Sequence, residues 1–73
     1  MNYQIEYQTK KEKQIREQLE RAIKTWGNIG IMTKSGIAIM GVEYELQYPY
    51  LIIRSRDKTA EITLHINQID FIL

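Results

Sequence analysis

Two glycines five residues apart, in the run KSGIAIMGV, constrain the fold of this 73-residue chain more than any other feature. Glycine inside a helix or a strand costs roughly 0.5–1 kcal/mol relative to alanine, so each glycine here needs a structural reason. Gly36 follows Lys34-Ser35 and predicts a tight turn with a positive φ angle. Gly41 lies within the predicted strand Ile37–Leu46, where a glycine permits a sharp bend or a bulge. The pair therefore predicts a hairpin whose second strand is long and strongly bent.

The chain after Gly27 is rich in isoleucine, tyrosine and threonine, and polar or helix-breaking residues interrupt it at short intervals. This pattern of residues is typical of short strands joined by turns. The predicted strands are Asn28–Thr33, Ile37–Leu46, Tyr50–Ser55, Thr59–Ile66 and Ile69–Leu73. Because the bent second strand can belong to both halves of a small core, residues 28–73 are predicted to form a five-stranded antiparallel small barrel.

The chain before Gly27 predicts one helix, from about Lys10 to Thr25 within residues 9–26. Thr9 and Glu12 match a capping box, and Gly27 is a natural C-terminal stop. An apolar stripe at helical spacing is formed by Ile15, Leu19, Ala22, Ile23 and Trp26. Trp26 is expected to anchor the helix on the open end of the barrel, and its replacement by alanine is then expected to cost about 3–5 kcal/mol.

Residues 1–8 alternate, with Tyr3, Ile5 and Tyr7 on one side. This pattern predicts either an extra strand or a loosely ordered arm. The whole chain, residues 1–73, is short enough to be a single domain. Its predicted class is α+β, mainly β.

Composition excludes several kinds of site. The chain has no cysteine and one histidine, so we expect no disulfide, no metal site and no cofactor. No motif surrounds His65 with a catalytic partner, so we expect no enzyme. No apolar run approaches the ~20 residues of a membrane span, and no secretory signal is visible, so a cytoplasmic protein without membrane association is expected.

A helix followed by five strands, with a G-x-x-x-x-G pair that opens and bends the second strand, resembles the Sm/LSm family, whose bacterial member is the RNA chaperone Hfq. The likeness covers roughly Gln18 to Ile72. Three stretches carry it: Ser35–Glu43, Tyr50–Ile53 and Thr63–Ile66. The chain departs from the family pattern at two positions. Gln47 stands where the family has an aspartate, and Leu64 stands where the family has a lysine before the histidine. The resemblance implies a homo-oligomeric ring that binds RNA.

The resemblance also implies where uridine-rich RNA would bind. Carried over by position, the binding residues are Gln47, Tyr48, Tyr50 and His65. Aromatic rings can stack on bases, and glutamine and histidine can hydrogen-bond base edges. The alternative is that both tyrosines flank the Pro49 turn and cover the barrel mouth, while His65 is an ordinary outward strand residue.

Basic residues offer a second possible RNA contact, through phosphate neutralisation. The candidate basic rim consists of Lys13, Arg16, Arg54, Arg56 and Lys58. The alternative is a solvated helix face and a polar hairpin tip, since the net charge is only +1.

The apolar segment Ile69–Leu73 would be an aggregation hazard as an exposed edge strand. In Sm-like rings the last strand pairs with the fourth strand of the next subunit, so self-association through Ile69–Leu73 is expected. Residues 1–8 could instead cap that edge within one chain. A different function also stays open: a small SH3-like barrel that binds a protein partner, as a phage- or plasmid-type regulatory or inhibitory factor.

Overall fold

A computed structural model describes the backbone of residues 3–73 and the side chains of residues 10–73. Within this range one long helix is followed by six strands and a short 3-10 helix. The elements are α1 (Tyr3–Trp26), β1 (Ile29–Thr33), β2 (Ala38–Gly41), β3 (Glu43–Gln47), β4 (Tyr50–Arg54), β5 (Glu61–His65), η1 (Ile66–Gln68) and β6 (Ile69–Ile72). The prediction of an α+β, mainly β chain is confirmed.

The strands form two antiparallel sheets of three strands each. Sheet A has the order β2-β1-β6, and sheet B has the order β3-β4-β5. No ladder joins β5 to β6 among these strands, so each of the two has one hydrogen-bonded neighbour. The predicted five-stranded closed barrel is therefore wrong: the described chain has six strands in two open sheets.

The predicted long strand Ile37–Leu46 is divided between the two sheets. Its first part is β2 in sheet A and its second part is β3 in sheet B, with Val42 between them. A Cβ atom on Gly41 would collide with Cγ2 of Ile53 and lie 2.7 Å from the carbonyl oxygen of Arg54. The chain bends at Gly41 and Val42 as predicted, and the close approach of the backbone to β4 is the reason that position 41 needs glycine.

The turn before β2 also matches its prediction. Gly36 has a φ angle of 88°, and its amide donates to the carbonyl of Thr33 over 3.0 Å. The Thr33 hydroxyl accepts from the amide of Ile37, also at 3.0 Å. A positive φ at this position is easy for glycine and costly for most other residues.

The core lies between α1 and the inner faces of both sheets. Its buried apolar side chains are Ile15, Leu19, Ala22, Ile29, Ile31, Ile39, Leu46, Leu51, Ile53, Leu64 and Ile66. Helix α1 packs mainly against β1 and β6 of sheet A. It is also tied to sheet B, because the Tyr44 hydroxyl donates to the Glu20 carboxylate. Burial, and then this hydrogen bond, raises the pKa of Tyr44.

Trp26 does not anchor the helix, contrary to the sequence-based prediction. It is 69% exposed and lines a surface depression with Ala22, Ile72 and Leu73. The last turn of α1 extends beyond the core. Gly27, with a φ angle of 77°, then redirects the chain. The rest of the predicted stripe contributes to the core as expected.

The helix also begins earlier than predicted, at Tyr3. The prediction of a strand or arm over residues 1–8 is therefore wrong for residues 3–8, which are helical. Thr9 lies inside the helix rather than at its cap. Met1 and Asn2 lie outside the described residues. Positions 3 and 7 are one helical turn apart as well as alternating, so the pattern fits both structures. In the part of the chain that the structure describes, no helix combines the length and hydropathy of a membrane span.

Candidate nucleic-acid interface

Three of the predicted site residues lie in one row across sheet B. Gln47 at the end of β3 is opposite Tyr50 at the start of β4, and Tyr50 is opposite His65 at the end of β5. Directly opposite residues share one face of a sheet. The row therefore places an amide, a phenol ring and an imidazole side by side on the outward face of sheet B.

Tyr50 and His65 form an aromatic pair at the centre of this row. Their ring centroids are 5.3 Å apart and the rings are nearly perpendicular, at 83°. This edge-to-face geometry is one that aromatic pairs prefer. Tyr50 is still 50% exposed, so part of its ring remains open to a stacking partner.

The His65 ring is held in place by η1. Its Nδ1 accepts from the amide of Asn67 over 3.1 Å, while the His65 amide donates to Oε1 of Gln68 over 2.9 Å. This reciprocal pair is a capping box for the short helix. Because Nδ1 is an acceptor, the neutral imidazole carries its proton on Nε2. His65 therefore has a fixed ring whose remaining N–H can donate to a ligand.

The capping role of His65 escaped the sequence analysis, which considered it as a binding residue or an outward strand residue. A signal was present in the spacing His65-x-x-Gln68, which has the form of a capping box with histidine in place of serine or threonine. The turn before β4 is fixed to the same junction, because the amide of Ile66 donates to the carbonyl of Pro49 over 2.9 Å.

Gln47 and Tyr48 differ in their surroundings. Gln47 is exposed, and its Nε2 donates to the carboxylate of Glu45. Tyr48 is half-buried and packs against the core, so it covers the end of the core as the alternative interpretation expected. Of the two tyrosines, only Tyr50 presents an open ring on the outward face.

Several of the predicted basic residues form ion pairs with carboxylates. Arg54 lies 3.1 Å from Glu45 and 3.6 Å from Glu61, and Lys58 lies 3.7 Å from Glu43. On α1, Arg16 pairs with Glu12 at 3.2 Å, while Lys13 and Arg56 are exposed. Hydrogen bonds from Gln47 and then from Arg54 lower the pKa of Glu45, and the same carboxylate raises the pKa of Arg54.

Arg54 itself lies away from the Tyr50–His65 pair. Arg54 is four residues from Tyr50 along β4, which is roughly 13 Å at the usual rise of a strand. Glu45, which binds both Arg54 and Gln47, connects the charge cluster to the edge of the row. Sheet B therefore carries exposed aromatic and amide side chains at one end and a largely neutralised charge network at the other.

An apolar groove marks the place where the barrel does not close. It has a volume of about 520 Å³ and lies between the β1–β2 hairpin and β5. Its apolar lining comes from Ile37, Ile39, Ile62 and Leu64. The groove runs beside the unpaired edge of β5.

Among the described residues, no group of three or more histidine, aspartate or glutamate side chains lies close enough together to hold a metal ion. No family model, curated protein or solved structure matches the chain.

Proposed function

We propose that this chain binds single-stranded RNA in the manner of an Sm-like protein, with bases held at Tyr50 and His65 and with several copies joined in a ring. The observation that carries the proposal is the row Gln47-Tyr50-His65 on the outward face of sheet B. An open aromatic ring flanked by fixed hydrogen-bonding groups suits an unstacked RNA base.

Each member of the row has a separate task. The exposed face of Tyr50 stacks on a base, a contact worth about 1–3 kcal/mol. The Nε2–H of His65 donates to a carbonyl oxygen on the base edge, as in uracil. The amide of Gln47, oriented by its hydrogen bond to Glu45, supplies a second polar contact.

Self-association is supported by the unpaired edges of β5 and β6. Strand β5 has no partner on one side in sheet B, and β6 has none on one side in sheet A. Exposed edges are templates for pairing with another chain. Pairing of Ile69–Leu73 with β5 of the next copy would cover the apolar groove, and a repeated head-to-tail contact of this kind closes a ring.

A ring would also compensate for the small charge of one copy. The net charge is +1, and Arg54 and Lys58 are engaged by carboxylates, so one copy has little attraction for phosphates. Several rows in one assembly bind one RNA strand with multivalent affinity.

The test is a fluorescence-anisotropy titration of a labelled six-uridine RNA at low salt, with a six-adenosine RNA beside it. Tyr50→Ser should weaken binding about tenfold or more, in keeping with the loss of one stacking contact. Tyr50→Phe retains the ring and should stay within about threefold of the unmodified chain. Trp26→Ala, which removes an exposed aromatic ring on α1, is the matched control and should bind normally.

His65→Asn separates the two roles of the histidine. Asparagine is a strong helix cap, so the variant should stay folded, with a small loss of stability from the missing Tyr50 contact, while it loses the imidazole donor and part of its affinity. An unmodified chain that binds neither RNA at low salt overturns the proposed RNA binding. That outcome would favour the alternative of an SH3-like module that binds a protein.

A further inference from the structure

A chain of polar contacts crosses the outward face of sheet B and ends at Gln47. Glu45 and Gln47 both face outward on β3, because Leu46 between them is buried in the core. The Glu45 carboxylate accepts from Nε2 of Gln47 through Oε2, and from Arg54 through Oε1. Each oxygen of this one carboxylate therefore has a different partner, one in the charge cluster and one in the row.

Arg54 restrains the Glu45 end of this chain. Its guanidinium lies 3.1 Å from Oε1 of Glu45 and, through Nε, 3.6 Å from Oε1 of Glu61. The Arg54 side chain is 29% exposed, less than that of either carboxylate. Glu45 is on β3 and Glu61 is on β5, so the arginine on the central strand is held from both sides.

The carboxylate determines which end of the Gln47 amide faces it. An ionised carboxylate only accepts hydrogen bonds, whereas a glutamine amide has a donor end and an acceptor end. Nε2 of Gln47 must therefore face Glu45, and the carbonyl oxygen Oε1 must face away from it. The hydrogen bond from Gln47 is also the main cause of the lowered pKa of Glu45, which favours the ionised acceptor. Gln47 is exposed, so its Oε1 is available to a ligand.

We propose that Glu45 is a positioning residue, restrained by Arg54, which makes Gln47 a hydrogen-bond acceptor for the bound base. That base is the one stacked on Tyr50, so the inference rests on the proposed function. Gln47 is directly opposite Tyr50 across the two strands, close enough for its amide to reach an edge of the base.

An acceptor at this position defines the group that the base must present. Uracil has one N–H group, at N3, and a carbonyl lies on either side of it. Oε1 of Gln47 accepts from that N–H, while Nε2–H of His65 donates to a carbonyl oxygen. An amide free to turn would also place Nε2 against the base, where two donors would meet. The fixed amide therefore favours a base edge that carries a ring N–H beside a carbonyl, as in uracil and guanine.

Fluorescence anisotropy with two labelled RNAs tests the proposal: six uridines, and six uridines that each carry a methyl group on N3. The methyl group removes the donor and keeps the ring that stacks. The unmodified chain should bind the uridine RNA about three- to tenfold more tightly, as expected for one hydrogen bond. In Glu45→Gln the preference should fall below about twofold, because a glutamine there offers either a donor or an acceptor and no longer fixes Gln47.

Glu43→Gln is the matched control. It is the same substitution on the same face of β3, at a residue whose partner is Lys58, 3.7 Å away, rather than Gln47. This variant should keep the preference for the uridine RNA. Arg54→Met keeps a long side chain but removes the restraint on Glu45, so it should reduce the preference. Thermal melts establish that each variant is folded.

Nuclear magnetic resonance of the Gln47 side-chain amide supplies a measurement that needs no RNA. One amide proton should be shifted from the position of a free glutamine in the unmodified chain and in Glu43→Gln, because it donates to a carboxylate. The shift should disappear in Glu45→Gln. This measurement reports the orientation of the amide separately from the binding of a base.

Three results overturn the inference and leave RNA binding in place. The unmodified chain binds both RNAs equally, or Glu45→Gln or Arg54→Met keeps the full preference, or Glu45→Gln weakens the binding of both RNAs by the same factor. The last result would assign Glu45 a merely structural role. If the amide shift is present but neither RNA binds, the proposed function fails, and the inference fails with it.

Discussion

At the residue scale, Gly36 and Gly41 are needed for different reasons. Gly36 has a positive φ angle and open space where a Cβ atom would stand. Gly41 has no such φ constraint, but a Cβ atom there would meet Ile53 and the backbone of Arg54. The first requirement is conformational and tolerates asparagine, whereas the second is steric and tolerates no side chain.

This difference predicts unequal effects of substitution. Gly36→Asn should cost at most about 1 kcal/mol, because asparagine adopts positive φ more easily than other residues. Gly41→Val should cost about 3 kcal/mol or prevent folding, because it must push β4 away. In a chain of this size 1 kcal/mol corresponds to about 4–8 °C in Tm, so thermal melts separate the variants clearly. Equal melting temperatures would contradict the steric account of the bend.

Trp26 shows the limit of reasoning from one residue's place in a pattern. Its spacing from Ala22 and Ile23 fits the buried stripe, yet it is among the most exposed side chains. Periodicity indicates which face of a helix is apolar, but it does not indicate how far the core extends along that face. That extent is set by where β1 and β6 lie, which is a property of distant parts of the chain.

At the element scale, local patterns predicted what local forces control. The hairpin at Gly36, the bend at Gly41 and the helix stop at Gly27 all depend on a few adjacent residues, and all are present. Barrel closure was predicted wrongly because it depends on whether β5 and β6 meet, and neither strand's sequence contains that information. The row Gln47-Tyr50-His65 likewise depends on two turn lengths that together set the register. Of the candidate binding residues, the sequence identified the types but not their alignment.

The β4–β5 hairpin is an element whose stability should depend on pH. The Asp57 carboxylate accepts from the hydroxyls of Thr59 and Ser55, each at 2.8 Å, and from the Thr59 amide at 3.1 Å. The hydrogen bond from the Thr59 hydroxyl, followed by that from Ser55, lowers the pKa of Asp57 from 3.8 to about 2. The hairpin places Lys58, with φ of 62°, beside this carboxylate.

The sign of the dependence follows from the lowered pKa. The folded state holds Asp57 ionised, so its stabilising contribution is complete above pH 3.8 and is lost as the pH falls through about 2. The melting temperature of the unmodified chain should exceed that of Asp57→Ala at pH 5, and the difference should shrink towards pH 2. Asp70→Ala, which changes an exposed carboxylate elsewhere, is the control for general acid effects. A difference between the unmodified chain and Asp57→Ala that does not change from pH 5 to pH 2 would contradict the turn's dependence on the ionised carboxylate.

At the scale of the whole molecule, the two open sheets offer free strand edges for association. The free edges of β5 and β6 offer unpaired backbone groups, and the edge of β5 lies beside the apolar groove. An edge contact extends a sheet from head to tail. A single charged residue at such an edge can therefore disrupt the contact without disturbing the core.

Ile62→Lys tests the edge contact. Ile62 lies on β5, is exposed and lines the groove, so a lysine there charges the surface that β6 of the next copy would cover. Lysine on an edge strand is a common means by which proteins prevent pairing. Light scattering at about 10 μM should give an oligomer for the unmodified chain and a monomer for Ile62→Lys.

The control for this experiment is Ile52→Lys, which places the same charge on the central strand β4, away from either edge. It should remain oligomeric if pairing at the edge drives assembly. If the Ile62→Lys variant keeps the mass of the oligomer, another surface drives the assembly. An unmodified chain that is monomeric at 10 μM would remove the ring from the proposed function. The row Gln47-Tyr50-His65 lies within one chain. The titration of Tyr50→Ser with RNA would then decide whether a single copy binds a base.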